Sequence, residues 1–205
     1  MSIMIATMFG HRKRVRHFHT PGHFHEFTFS CYGRKTLLTN DDWLPYLSQA
    51  VDDANRLESM ELAAFVFMPE HLHLLVYPLL PEPDLGRYLA RIKQPFSRRI
   101  KTILQHSNRD LLGELTIRER PGRTVFRFWQ EGPGYDRNLF SSAGIEASID
   151  YIHNNPVRRG LCERAVDWKW SSARYYLGTT PKQQFQGLPR IHGISPEALS
   201  DLAPG

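Results

Sequence analysis

Two short apolar runs in the middle of the chain set the tightest limit on its fold. Residues 62–68 (LAAFVFM) are continuous and apolar, and residues 71–77 (HLHLLVY) are nearly so; only Pro69-Glu70 separates them. Runs of this length have the size of strands, and an unbroken apolar strand is buried on both faces. A two-residue break makes the pair an antiparallel hairpin. Such a hairpin needs a layer of helix above or below it, and the flanking sequence supplies helices. Asn40 or Asp41 can cap a helix over 42–57 by accepting its first free amide hydrogens. A second helix over 84–104 places Leu85, Leu89, Ile92, Phe96, Ile100 and Ile103 on one side at 3.6 residues per turn. Pro95 is expected to kink it near Lys93-Gln94.

An aromatic run at 24–31 (FHEFTFSC) reads as the first strand and 124–130 (TVFRFWQ) as the fourth, with a long polar loop over 107–123 between helix and strand. A third helix over 141–155 is expected to stop at Pro156, leaving Asn155 in or just past its last turn. The order is β-α-β-β-α-β followed by a helix. It predicts an α+β, ferredoxin-like (split βαβ) antiparallel sheet with two helices on one face. The other face is left for a site or for the extra C-terminal helix. Trp168 and Trp170 are expected to anchor the segment after that helix. Residues 1–22 form a basic arm, 23–177 the main domain, and 178–205 a tail with four prolines that is expected to be mobile.

No apolar run approaches the roughly 20 residues of a membrane-spanning helix. The N-terminal charges follow a mildly apolar stretch instead of preceding it, so no secretory signal is read. Two cysteines, Cys31 and Cys162, do not make a disulfide framework, and a reducing cytoplasm is the expected compartment. The formal net charge of +5 favours a polyanionic partner without naming one.

Three features could carry chemistry. His71 and His73 are alternate residues of a strand, so they share a face about 6.6 Å apart and can converge on one metal ion. The bland alternative is a solvated pair. The same spacing recurs as His17/His19 and His23/His25, but those pairs sit in or beside the arm, where solvent or phosphate contacts are favoured; His25, which begins the first strand, could still point to the free sheet face. Tyr151 and Asn155 lie four apart on the third helix and share a side approximately; a packing tyrosine and an ordinary helix stop are the alternative. Basic residues form the third feature. Arg12, Lys13, Arg14 and Arg16 lie in the arm. Arg87, Arg91, Arg98 and Lys101 line the outer side of the second helix, with no acid from 85 to 101. Arg158 and Arg159 follow the tyrosine. Such residues hold phosphate backbones, although charged helix faces are often simply solvated.

Together, MPEHLHLLV (68–76), FWQEGPGYDRNLF (128–140), YIHNNPVRRGL (151–161) and WKWSSARYY (168–176) resemble the REP-associated tyrosine transposases, a bacterial branch of the single-tyrosine HUH transposases. FHEFTFSCYGRK resembles their first strand. The resemblance covers roughly 24–177. It implies that His71, His73 and Asn155 hold a divalent cation, Mg²⁺ or Mn²⁺, and that Tyr151 is the nucleophile. Glu70 is read as a turn residue with no ligand role. The implied activity is single-stranded DNA cleavage and rejoining at palindromic repeat hairpins through a 5′-phosphotyrosine, beside the bacterial nucleoid. The polar loop over 107–123 is long for a compact ferredoxin-like core and reads equally as an insertion that contacts DNA or as a surface loop. No membrane partner is implied. The branch points to a monomer, while the wider group includes dimers. The alternative is a non-catalytic, domesticated nucleic-acid-binding regulator on the same fold.

Overall fold

The computed structural model describes residues 19–176, 186–194 and 198. Its framework is a four-stranded antiparallel sheet of strands β1 (Phe24–Ser30), β2 (Met60–Phe67), β3 (His71–Pro78) and β6 (Tyr135–Leu139). The order is β2-β3-β1-β6, with β1 central between β3 and β6. That is the order of a split βαβ arrangement, as expected. Helices α1 (Leu44–Glu58) and α2 (Leu85–Ser107) cover one face. Phe27, Phe29, Leu72, Leu74 and Phe65 bury against them. Helix α4 (Ser142–Arg158) covers part of the other face, where Phe24, Ala64, Val66, Leu75 and Tyr77 meet Ile145, Ile149 and Ile152. The continuous apolar character of β2 and β3 therefore has its cause: both faces are packed.

The expected fourth strand is displaced. Of 124–130, only the beginning is strand, and it belongs to a separate two-stranded ribbon of β4 (Thr116–Arg120) and β5 (Arg123–Phe126). Phe128 and Trp129 instead plug the space between α2 and β1, against Phe96 and Phe29. The expected loop over 107–123 holds helix α3 (Arg109–Glu114), β4 and the ribbon turn. The real edge strand, β6, reads YDRNL and was hidden by its polarity. Its polar side chains are satisfied by buried partners on β1: Asp136 accepts from His25 at 2.9 Å and Arg137 donates to Glu26 at 2.7 Å. Gly134 brings the chain onto β1 with φ near +93°, where an added Cβ would meet the Thr28 carbonyl.

Both internal prolines are carried within helices. Helix α2 runs through Pro95, and α4 runs through Pro156 to Arg158, so Asn155 is helical. Past Pro156 the helix still closes, with Arg159 N donating to the Asn155 carbonyl and Leu161 N to the Pro156 carbonyl. Helix α1 starts at Leu44 with Pro45 in its first turn and no side-chain cap; Asn40 Oδ1 accepts from Asp42 N just upstream.

Residues 170–172 run along the β2 edge. Phe67 N donates to the Trp170 carbonyl, Ser172 N to the Phe65 carbonyl, and Trp168 Nε1 to the Phe67 carbonyl. Part of the tail is docked, against the expectation of mobility. His192 N donates to the Leu62 carbonyl, Leu62 N donates to His192 Nδ1, and Arg190 N donates to Asp52. Leu188 and Ile191 reach the first core, and Ile194 and Ala198 the second. Covered edges of this kind resist strand-to-strand aggregation. The remainder of the tail and arm residues 1–18 lie outside the described residues. No helix among the described residues is long and apolar enough to cross a membrane.

Candidate active site

The pleat of β3 turns His71 and His73 to the α4 face while Leu72 and Leu74 enter the opposite core. Their Nε2 atoms lie 3.2 Å apart. Each outer nitrogen has a partner. His71 Nδ1 lies 3.0 Å from Glu70 Oε1, and His73 Nδ1 lies 2.9 Å from Thr28 Oγ1 and 3.5 Å from Glu26 Oε1. A carboxylate accepts, so the Glu70 contact places the proton of His71 on Nδ1 and leaves the Nε2 lone pair free. Burial, and then the neighbouring His73, push His71 down to about 4, which keeps the ring neutral. If Nδ1 of His73 likewise donates toward Glu26, two lone pairs face each other at 3.2 Å, an arrangement that a shared cation relieves.

Helix α4 completes the site. The i, i+4 spacing sets Tyr151 and Asn155 on its inner side. Asn155 is buried, and its amide nitrogen stands 3.1 Å from His73 Nε2. The amide also carries an oxygen donor of the type hard cations take. The Tyr151 ring meets His73 edge-on, with centroids 5.5 Å apart and planes at 85°, and remains 40% exposed. The Arg158 guanidinium lies over the Tyr151 ring, 5.1 Å from its centroid. All of these groups belong to one chain. The donor set fits a divalent cation: two imidazole nitrogens and an amide, with outer partners that fix the rings. Among the described residues, no group of three or more His, Cys, Asp or Glu side chains could hold a metal ion.

Several residues of the site were not singled out in the sequence. Glu26 is the centre of a buried network. Burial alone would raise its carboxyl, but hydrogen bonds with His73 and Ser148 and the charge of Arg137 outweigh that and hold it below the usual range. Ser148 Oγ donates to Glu26 at 2.9 Å, which ties α4 to β1. Glu70 does more than turn the chain. It pairs with both His71 and Arg159, and these partners likewise hold it low against the effect of burial. Arg159 thereby links the end of α4 to the start of β3. Glu26, Thr28, His73, Tyr135, Arg137, Ala147 and Tyr151 line a cleft of about 500 Å³. A lone acid two residues before Thr28 in an aromatic strand was the available signal for Glu26.

The proposed phosphate contacts divide. Arg12, Lys13, Arg14 and Arg16 lie outside the described residues. Arg87 and Arg91 both pair with the buried Glu58, so that half of the α2 stripe is neutralised internally. Arg98 and Lys101 are exposed, with no acidic partner among the described residues. Arg159 is committed to Glu70, while Arg158 stays beside Tyr151. His25 does not face the site. It is fully buried on the α2 side, between Asp136 and His19, so His19 and His25 are not the solvent or phosphate contacts expected of them.

No protein-family model matches the chain. A REP-associated tyrosine transposase of Haemophilus influenzae is 32% identical over 159 residues, covering 75% of this chain and 81% of that protein. A second, from Escherichia coli K12, is 25% identical over 150 residues, covering 71% and 73%. A solved REP-associated tyrosine transposase bound to a REP hairpin superposes with a TM-score of 0.62 at 20% identity, covering 94% of this chain and 92% of that one, a likeness of fold. On the strength of the first of these relatives, the chain belongs to the REP-associated tyrosine transposases.

Proposed function

We propose that this protein cleaves and rejoins single-stranded DNA at a hairpin through Tyr151. One observation carries the reading: an exposed tyrosine stands edge-on against a histidine whose Nε2 faces a second imidazole and an amide. His71, His73 and Asn155 would hold a divalent cation, Mg²⁺ or Mn²⁺, with manganese the easier partner for two imidazoles. When bound, the cation polarises the scissile phosphate and offsets charge that develops on it.

The chain's own residues do the rest. The Tyr151 oxygen attacks phosphorus and gives up its proton; the O3′–P bond breaks and the departing 3′-oxygen takes up a proton. A 5′-phosphotyrosine and a free 3′-OH remain. The phosphodiester energy is conserved in the new bond, so rejoining needs no ATP. Arg158 sits where it can contact the backbone next to the reacting phosphate. Tyr135, 60% exposed on the cleft wall, offers a stacking surface for a flanking base. Glu26 and Glu70 hold the two rings in register.

The test is a labelled hairpin with a 5′ single-stranded flank, incubated with the protein and Mn²⁺. A denaturation-resistant adduct that disappears in Tyr151→Phe supports the reading. Tight binding without an adduct under any divalent metal would make the protein a binding module. Cleavage that survives Tyr151→Phe would make it a water-activating nuclease.

A further inference from the structure

The ribbon β4–β5 takes no part in the site described above, yet it carries three exposed arginines within six residues. Arg118, Arg120 and Arg123 all face solvent. Its turn is Pro121-Gly122, with Gly122 at φ near +76° and open space around it, so the tip projects away from the body. Ile117 and Val125 are paired on one side and half-buried; Arg118 and Thr124 are paired on the other.

This composition is poor for stability. A two-stranded ribbon is marginal by itself. Arg120 and Arg123 stand directly opposite each other across it, and like charges in that position destabilise a pair. Glu119 answers only part of the charge, pairing with Arg123 and Arg127 at 3.1 Å each. Arg118 and Arg120 have no acidic partner among the described residues. The ribbon persists because its base is anchored: Arg127 N donates to the Leu115 carbonyl, and Phe126 and Leu115 join the first core. A rigid base with a self-repelling cationic tip suits a partner that supplies closely spaced negative charge.

The length of chain between the tip and the histidine strand keeps the ribbon within reach of a duplex that starts at the site. The chain leaves β5 through Phe128 and Trp129, and Gln130 N donates to the Ser30 carbonyl. Ser30 is the β-sheet partner of His71. From the tip at Arg123 to Gln130 is at most about 25 Å of extended chain. One turn of a DNA duplex spans ~34 Å, and a two-stranded ribbon fits its major groove. We infer that the β4–β5 ribbon grips the paired stem of the hairpin through Arg118, Arg120 and Arg123 while the single-stranded flank lies at Tyr151. The inference rests on the strand-transfer reading for its choice of substrate.

Binding of the full chain to two probes tests it: a fully paired DNA hairpin without a flank, and the single-stranded flank alone. The double variant Arg118→Gln, Arg120→Gln should bind the stem about tenfold more weakly at fixed salt. Its log–log salt slope should fall by about 2, the amount expected for two lost phosphate contacts. Flank binding and the thermal midpoint should stay unchanged, and Arg118→Lys, Arg120→Lys should recover the slope. Stem affinity and slope equal to wild type overturn the inference, as does an equal loss on both probes. A wild-type protein that binds the stem through these arginines but forms no Tyr151 adduct overturns the strand-transfer reading and supports the ribbon. An intact adduct with unaltered stem binding in the variant overturns the ribbon alone.

Discussion

The sheet carries two histidine clusters on opposite faces, and they are built to opposite ends. His71 and His73 have their outer nitrogens engaged, by Glu70 and by Thr28 with Glu26, and turn their inner nitrogens toward each other and Asn155. His25 spends both nitrogens on the protein itself: Nδ1 on Asp136 and Nε2 on His19. The first arrangement leaves donor capacity beside an exposed tyrosine. The second consumes it inside the α2 side of the sheet. The His-x-His spacing therefore yields a candidate reaction centre at His71 and His73, while at His23/His25 it yields only the structural fastening of His25 to His19 and Asp136. What separates them is which pleat face each ring occupies and what the adjacent strand sets opposite it.

The sharpest way to break this contrast is the tyrosine. Tyr151→Phe should abolish adduct formation on a hairpin substrate while leaving the fold intact, since the ring contact with His73 survives loss of the hydroxyl. His73→Ala should lower metal-dependent cleavage at least 100-fold, measured at saturating DNA, because one imidazole donor is gone and Asn155 loses its neighbour. Should His25→Asn cost as much cleavage per folded molecule, the division between the two clusters is wrong. We expect that substitution to act on stability instead, by about 1–3 kcal/mol in a denaturant melt, because it strips the fully buried partner from Asp136.

The outer partners give the next effect. Glu26→Gln and Glu70→Gln should each weaken metal affinity about 10–100-fold, the usual range for groups that orient ligating histidines. The readout is the metal concentration at half-maximal cleavage, which a purely structural role would leave unmoved.

The smallest effect is in pH. His71 and His153 are both pushed down to about 4, His71 by burial and the nearby His73, His153 by burial. A histidine with a depressed folded value takes up its proton more readily when unfolded. The stability these two sites contribute is therefore intact above the ordinary value near 6.5 and lost as pH falls toward 4. The thermal midpoint of the metal-free protein should drop across that window. His153→Gln should flatten part of the drop.

Much of this could be read before any coordinates. Residues 62–77 specified a hairpin, the pattern in 85–103 specified an amphipathic helix, and Tyr151 four before Asn155 specified a shared helix side. Pro156 misled, because the helix closes past it. Residues 124–130 misled as well, because an aromatic, β-branched run looks the same whether it pairs in a sheet or fills a gap between a helix and a strand.

The residue order alone determined the hairpin of residues 62–77, the alternation that puts His71 and His73 on one face, and the kinds of donor available, since these follow from local periodicity and side-chain chemistry. Only the tertiary structure decided that YDRNL is the edge strand, that Glu26 is held by Arg137 and Ser148, and that Arg87 and Arg91 are tied to Glu58. Each of these is a pairing of polar groups distant in sequence. A polar side chain shows no preference for strand or site until a buried partner satisfies it, and that partner is supplied only when the chain has folded.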